Sequence, residues 1–201
     1  KTQSALFEVM QERQASIDGT TYTMERPFLV IATQNPIEQE GTYQLPEAQL
    51  DRFLFKIRVT YPEMEDEVKL LLHKHKQKGA DESTLIQPVL DKKAITTYQQ
   101  TIRDVYIEEP VVRYLTSIVQ KTRNNPSLYL GGSPRASVAL MHASKALAAL
   151  EGRDFVTPED IKYLAPHVLR HRIILTPEKE MEGSTPDEII QQLLNSVEVP
   201  K

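Results

Sequence analysis

The sequence predicts an α/β segment followed by an all-α segment, and three observations predict it. The apolar run F-L-V-I-A-T, Phe28 to Thr33, suits a strand buried on both faces, as in a parallel sheet covered by helices. Phe53 to Thr60 alternates: Phe53, Phe55, Ile57 and Val59 share one face, and Lys56, Arg58 and Thr60 share the other, the pattern of a half-exposed or edge strand. After Tyr61-Pro62, where proline stops a strand and suits a first helical turn, the remaining patterned stretches have helical spacing.

Taken in order, residues 1–13 predict a helix with Leu6, Val9 and Met10 on one stripe. Asp18-Gly19 between β-prone residues predicts a two-residue hairpin, because a type I′ turn needs positive φ at both positions. Pro46 to Arg52 predicts a short helix between the two strands. Beyond Pro62, Met64 to Lys78 is expected to turn Val68, Leu71 and Leu72 inward, and Lys92 to Arg103 to turn in Ile95, Tyr98 and Ile102. Pro110 to Arg123 offers Val111, Leu115, Ile118 and Val119. The alanine-rich stretch Pro134 to Glu151 offers Val138, Met141 and Leu147, with Gly152 placed to cap it. Thr157-Pro158-Glu159-Asp160 reads as a helix start, with an N-cap hydroxyl, proline in the first position and acids at the positive end of the dipole. Its stripe is Ile161, Leu164, Ala165 and Val168, and Thr185-Pro186-Asp187-Glu188 repeats the device before Ile189 to Leu194. The expected domains are residues 1–61 and a helical bundle over 62–201.

Composition narrows the class. A chain of 201 residues holds one domain or two small ones, and 40% hydrophobic with 26% charged residues is ordinary for a globular protein. The absence of cysteine excludes disulfides and thiolate chemistry and fits a reducing compartment. A net charge of −4 offers nucleic acid no global attraction. No apolar stretch approaches the roughly 20 residues of a membrane span. No basic n-region followed by an apolar h-region opens the chain, so a cytoplasmic location is expected.

Three polar residues stand out as candidates for chemistry. Asn35 lies just past the first predicted strand, at the edge where open α/β sheets bind ligands. Its carboxamide could donate to a phosphate oxygen and accept from an attacking water, although Asn-Pro also simply initiates turns. Arg52 sits alone in an apolar setting, where a guanidinium could neutralise phosphate charge or merely pair with Asp51 or Glu47. Arg135 follows Gly131-Gly132-Ser133-Pro134, so it projects from the first turn of a helix that Ser133 caps. The glycines there more often make a tight turn than a phosphate cradle. His167 and His171 have the spacing of a zinc pair but lack an accompanying glutamate base, and His73-Lys74-His75-Lys76 reads as a solvated helix face. Glu38, Glu40 and Glu47 could be metal-directed carboxylates but read better as loop solvation. No metal site is expected.

The segment T-Q-N-P-I-E-Q-E-G-T-Y-Q-L-P-E-A-Q-L-D-R-F resembles the sensor-1 to arginine-finger region of MoxR-type AAA+ ATPases. L-G-G-S-P-R-A-S, Leu130 to Ser137, and G-R-D-F-V-T-P-E-D-I, Gly152 to Ile161, resemble that family's lid. The resemblance runs from the first residues to about Pro177. The chain departs from the family in lacking the phosphate loop G-x-x-x-x-G-K-[ST] and an acidic Walker B strand. It opens at K-T-Q-S-A-L, which in the family follows shortly after Walker B, and so resembles the back half of an ATPase.

The resemblance implies a partial AAA+ core of the P-loop NTPase type followed by an α-helical lid. In the family a strand leading into the phosphate loop lies between the two strands seen here. Phe28 to Ile31 are therefore expected to need the upstream half for burial. The resemblance makes Asn35 the sensor-1 residue, Arg52 an arginine finger acting in trans, and Arg135 the sensor-2 residue acting in cis, with lid motion hinged near Tyr61-Pro62. It makes the Asp18-Gly19 hairpin the one preceding sensor 1. It further implies ATP and Mg²⁺, held mainly by residues absent here, a hexameric homo-oligomeric ring, and protein clients, some with von Willebrand factor A domains. The 201-residue chain alone is not expected to turn over ATP, because nothing in it cradles the β-phosphate. Two other readings remain: a non-catalytic helical interaction module, and an AAA+ motor acting on DNA. The second predicts basic residues on the hairpin, which Gln14, Ser16, Asp18, Thr20 and Thr21 do not supply.

Overall fold

The computed structural model describes residues 7–10, 12–35, 45–77 and 86–200. Residues 7–10 are helical, and the rest of the predicted N-terminal helix lies largely outside the described residues. The hairpin forms as the turn chemistry dictates. Strand β1 (Gln14–Ile17) pairs antiparallel with β2 (Thr20–Thr23), Ile17 opposite Thr20, leaving a two-residue turn. Asp18 and Gly19 adopt φ of 49° and 79°, the left-handed pair that a type I′ turn requires.

The two predicted core strands do not form. Residues 28–35 take no strand conformation, and Leu29 and Ile31 are 80% and 81% exposed rather than buried. Among the described residues no strand lies beside this segment, so its backbone groups have no ladder to join and its side chains no opposing layer. Phe53–Thr60 is not a strand either. After the short helix α1 (Glu47–Leu50), the chain turns through Asp51 and Arg52, and its next residues bond to the helical part of the molecule.

Helix α2 (Met64–Gln77) forms as predicted, but Val68, Leu71 and Leu72 are exposed instead of turned inward. Helix α3 (Lys92–Asp104) begins at Asp91, whose carboxylate accepts from the Ala94 amide at 2.7 Å. Tyr98 on this helix is exposed, contrary to its place on the predicted stripe.

The core sits in helices α4 (Glu109–Arg123), α5 (Pro134–Leu150), α6 (Pro158–Leu169) and α8 (Pro186–Ser196), with the short α7 (Pro177–Met181) between the last two. Helix α5 packs on α6 and α4, and α8 closes against α4 and α6. Val111, Leu115, Ile118 and Val119 of α4 meet Ile161, Leu164, Ala165 and Val168 of α6, as their spacing predicts. Fully burying side chains such as Ile118, Leu140, Ile161, Leu169 and Ile190 stabilises by roughly 1.5–3 kcal/mol each. Helix α5 buries Ala136, Ala139, Leu140, Ala143, Ser144 and Ala148; of the predicted stripe, Met141 and Leu147 are half-buried against this core, while Val138 is exposed. Small side chains win that face because they let the helix axes approach closely in a crowded centre.

Helix ends follow the sequence signals. Thr157 and Asp160 form a reciprocal capping box, as do Thr185 and Glu188. Gly152, at φ 75°, ends α5 while its own amide and that of Arg153 return to Ala149 and Ala148. One element had no sequence signal: β3 (Leu128–Leu130) pairs antiparallel with β4 (Ile174–Leu175), tying the α4–α5 loop to the segment after α6. No helix among the described residues is long and apolar enough to cross a membrane.

Candidate functional site

Arg52 and its neighbours are placed by the end of α1. The amides of Asp51, Arg52 and Phe53 bond back to the carbonyls of Glu47, Gln49 and Leu50, continuing the helical turn past its last residue. Asp51 is thereby directed toward the start of α5 and the end of α6. Its Oδ1 accepts from Arg172 Nε at 3.0 Å, and its Oδ2 accepts from Ser133 Oγ at 2.8 Å. Arg135 Nη1 lies 3.7 Å from the same Oδ2.

The Gly131-Gly132 pair explains how Ser133 and Arg135 reach that position. A Cβ on Gly131 would lie 2.7 Å from Arg123 Cα and from the Thr122 carbonyl carbon, so only glycine lets this loop lie flat on the end of α4. The Gly132 amide donates to Thr122 Oγ1 at 2.8 Å, and Arg123 Nε donates to the Gly132 carbonyl at 2.8 Å. Ser133 Oγ then accepts from the Arg135 amide at 3.1 Å while donating to Asp51, acting as helix cap and bridge at once. The glycines thus serve close backbone packing.

Arg172 is the centre of the contact. Its side chain is 2% exposed, yet its donors reach Asp51 Oδ1, the carbonyls of Asp51, Phe53 and Leu54, and the Val168 carbonyl in the last turn of α6. Burial lowers its affinity for a proton, and the Asp51 carboxylate opposes that shift. Beside it, His171 Nε2 is 2.9 Å from the Phe53 carbonyl. A carbonyl only accepts, so Nε2 carries the proton, and buried Nδ1 is without a hydrogen-bond partner. Burial is the main reason the His171 pKa falls to about 4, with the Arg172 charge adding to it against the Phe53 bond. The imidazole is therefore neutral and committed to structure. The Lys56 amide donating to the His167 carbonyl at 3.0 Å and Arg170 Nη1 donating to the Lys56 carbonyl at 3.0 Å extend the same grip.

Of the three candidate residues, Arg135 contacts this cluster and Arg52 adjoins it in the chain. Arg135 borders it directly and is 54% exposed on its side chain, so its guanidinium can reach outward. Arg52 follows Asp51 and is half-buried. Its Nε is buried without a hydrogen-bond partner, as is Gln49 Oε1 one turn earlier. A desolvated cationic donor without an acceptor costs about 1–3 kcal/mol. Asn35 ends the exposed segment 28–35 and is itself exposed, while the link to Arg135 runs through Asp51. Among the described residues no group of three or more His, Cys, Asp or Glu is placed to hold a metal ion. Glu38 and Glu40 lie outside the described residues.

Sequence reasoning missed Asp51, Arg172 and His171 as parts of one cluster. Its available signal was L-R-H-R-I-I-L, residues 169–175, where basic residues interrupt an apolar stretch just past the end of α6. Such residues stay in an apolar setting when they have a partner to satisfy them.

Two family models match the chain. The AAA ATPase model (ATPase family associated with various cellular activities) covers residues 1–55, and the AAA lid domain covers residues 120–193. The chain is 46% identical over 200 residues to the uncharacterized protein YeaC of Bacillus subtilis, covering all of this chain (100%) and 62% of that protein. It is 40% identical over 210 residues to chaperone MoxR1 of Mycobacterium tuberculosis, covering 100% of this chain and 54% of the relative. A crystal structure of a candidate ATPase from Cytophaga hutchinsonii superposes with a TM-score of 0.90 at 40% identity, over 99% of this chain and 62% of that one. The chain thus spans between half and two thirds of the length of these relatives. With the AAA ATPase and AAA lid models both matched and a relative named MoxR1 aligned along the whole chain, the chain belongs to the AAA+ ATPases, in their MoxR-type branch.

Proposed function

We propose that the whole protein hydrolyses ATP in a homo-oligomeric ring and uses the lid motion to remodel partner proteins. In this reading Asn35 orients the attacking water, Arg52 reaches the γ-phosphate of a neighbouring subunit, and Arg135 reads nucleotide in its own subunit. Residues 1–61 form part of the nucleotide-binding core and 62–201 the lid. The observation that carries the reading is the half-buried Arg52, whose guanidinium Nε is desolvated and without an acceptor, in a chain of AAA+ ancestry. A second subunit's phosphate is an acceptor of the required charge, and no subunit of this design completes its own site.

Remodelling is supported by the naming of the MoxR1 relative as a chaperone. A hexameric ring and clients with von Willebrand factor A domains are what the family resemblance implies, and a cytoplasmic location is part of the same proposal. Mg²⁺ would arrive with the nucleotide and be held by groups outside the described residues.

The test is steady-state ATP hydrolysis by the full-length protein and its Arg52→Ala variant. Loss of a transition-state arginine costs about a thousandfold or more in turnover. The variant should therefore be inactive alone, yet still bind ATP. Arg52→Ala subunits mixed into wild-type rings should lower activity more steeply than simple dilution. Wild-type turnover by Arg52→Ala would remove the proposal. The 201-residue chain measured by itself is expected to show no turnover, since it carries no phosphate loop.

A further inference from the structure

We propose that Asp51 is a positioning residue that relays the state of Arg135 to Arg52. The inference rests on the proposed roles of those two arginines. Asp51 divides its carboxylate between two parts of the lid. Oδ1 is held by the buried Arg172 past the end of α6, and Oδ2 faces Ser133 and Arg135 at the start of α5. The two contacts differ in kind. Arg172 is 2% exposed and grips the carbonyls of Asp51, Phe53 and Leu54 as well, so it fixes the backbone that carries Arg52. Arg135 is 54% exposed and 3.7 Å from Oδ2, a long, solvent-facing pair that an anion can displace at little cost.

A nucleotide phosphate offers Arg135 more charge than Asp51 does, and a guanidinium binds phosphate with two aligned donors. When Arg135 turns to phosphate, Oδ2 retains only Ser133, and the electrostatic pull on Asp51 shifts toward Arg172. Arg52 is the next residue in the chain, so its guanidinium moves with that change. Nucleotide read in one subunit thereby sets the finger offered to the next. The hinge of such a motion lies past Lys56, because Lys56 N bonds to the His167 carbonyl and Arg170 to the Lys56 carbonyl.

The experiment compares the full-length protein with Asp51→Asn and Arg172→Lys, measuring kcat, KM and the affinity for a fluorescent ATP analogue. In Asp51→Asn the carboxamide keeps its size but no longer holds Arg135 by charge. Analogue binding should tighten by about threefold, while kcat falls by about tenfold or more as Arg52 loses its placement. A merely structural role would weaken binding together with turnover. Arg172→Lys keeps the Asp51–Arg135 pair but loosens the backbone grip, so kcat should fall with affinity unchanged. Asp51→Glu should restore part of the lost kcat. Unchanged or weaker nucleotide affinity in Asp51→Asn overturns the relay whatever kcat does, and so does unchanged kcat in either variant. If Asp51→Asn fails to assemble, Arg172→Lys with wild-type kcat still overturns it. Should Arg52→Ala hydrolyse ATP normally, the functional reading itself fails. Should Arg52→Ala be inactive while Asp51→Asn behaves as wild type, the relay alone fails.

Discussion

The carboxylate of Asp51 and the guanidinium of Arg172 are 121 residues apart in sequence and 3.0 Å apart in the fold. Arg172 is 2% exposed and Asp51 16% exposed, so little water is left to replace either partner. Removing one side of such a pair leaves the other charge buried, along with the carbonyls of Asp51, Phe53 and Leu54. Arg172→Leu, shorter and without donors, should destabilise the chain by about 3 kcal/mol. Arg172→Lys keeps the charge but not the planar fork, and should lose about 1–2 kcal/mol. Urea unfolding followed by circular dichroism measures both. A loss below about 1 kcal/mol for the leucine variant would mean the contact is replaceable by solvent.

The neutral His171 makes stability depend on pH in one direction. Its folded pKa, about 4, lies below the unfolded value of 6.5. Between those values the unfolded chain binds a proton that the folded chain refuses, so stability is full above pH 6.5 and declines as pH falls toward 4. The slope for one proton is at most about 1.4 kcal/mol per pH unit. Asp160 acts in a separate window. Burial alone would raise its pKa, but hydrogen bonds from Arg153 and Thr157 outweigh burial and hold it below its usual value of 3.8. Its contribution is therefore present above 3.8 and lost only as pH falls further, through the folded pKa. Unfolding measured at pH 7, 6 and 5 should show a decline that His171→Gln largely removes. An equal decline in that variant would show that other groups cause it.

What the sequence made legible was what one element can specify for itself. Asp18-Gly19, Thr157 with Asp160, Thr185 with Glu188 and Gly152 each encode a turn or cap within five residues, and each forms. The stripes of α4 and α6 were also legible, because their large aliphatic residues recur at helical spacing. The buried face of α5 was not, since alanines pack there through close approach rather than through bulk. Arg52 and Arg135 stood out as single residues. The cluster joining them did not, because Asp51, Ser133 and Arg172 come from three distant segments.

The exposed run Phe28–Ile31 provides a direct contrast between pattern and environment. A strand buried on both faces would lose about 2–5 kcal/mol when a large aliphatic side chain is truncated. In this chain Leu29 and Ile31 are 80% and 81% exposed, so Ile31→Ser should change its stability by less than about 0.5 kcal/mol. Ile118→Ala, at a residue with 0% exposure in the centre of the helical core, should cost about 2–5 kcal/mol in the same assay. Comparable losses at the two positions would mean that Phe28–Ile31 is covered in solution.

Gly131 and Gly152 are both glycines beside α5, yet alanine at each should act by a different route. At Gly152 nothing lies within 4 Å of an added Cβ, and the cost comes only from the left-handed φ of 75°. That strain is worth about 1 kcal/mol and stays local to the helix end. At Gly131 an added Cβ meets Arg123 Cα and N and the Thr122 carbonyl carbon, each at 2.7 Å. Backbone atoms cannot rotate away, so the loop must lift from α4, at about 1–3 kcal/mol. Lifting it also draws Gly132 from Thr122 and Arg123, and Ser133 from Asp51, so this change reaches the candidate site. Gly131→Ala in the full-length protein should therefore lower ATP turnover as well as the melting temperature, whereas Gly152→Ala should lower only the melting temperature. Equal turnover in the two variants would show that the loop's seat on α4 does not control the placement of Ser133 and Arg135.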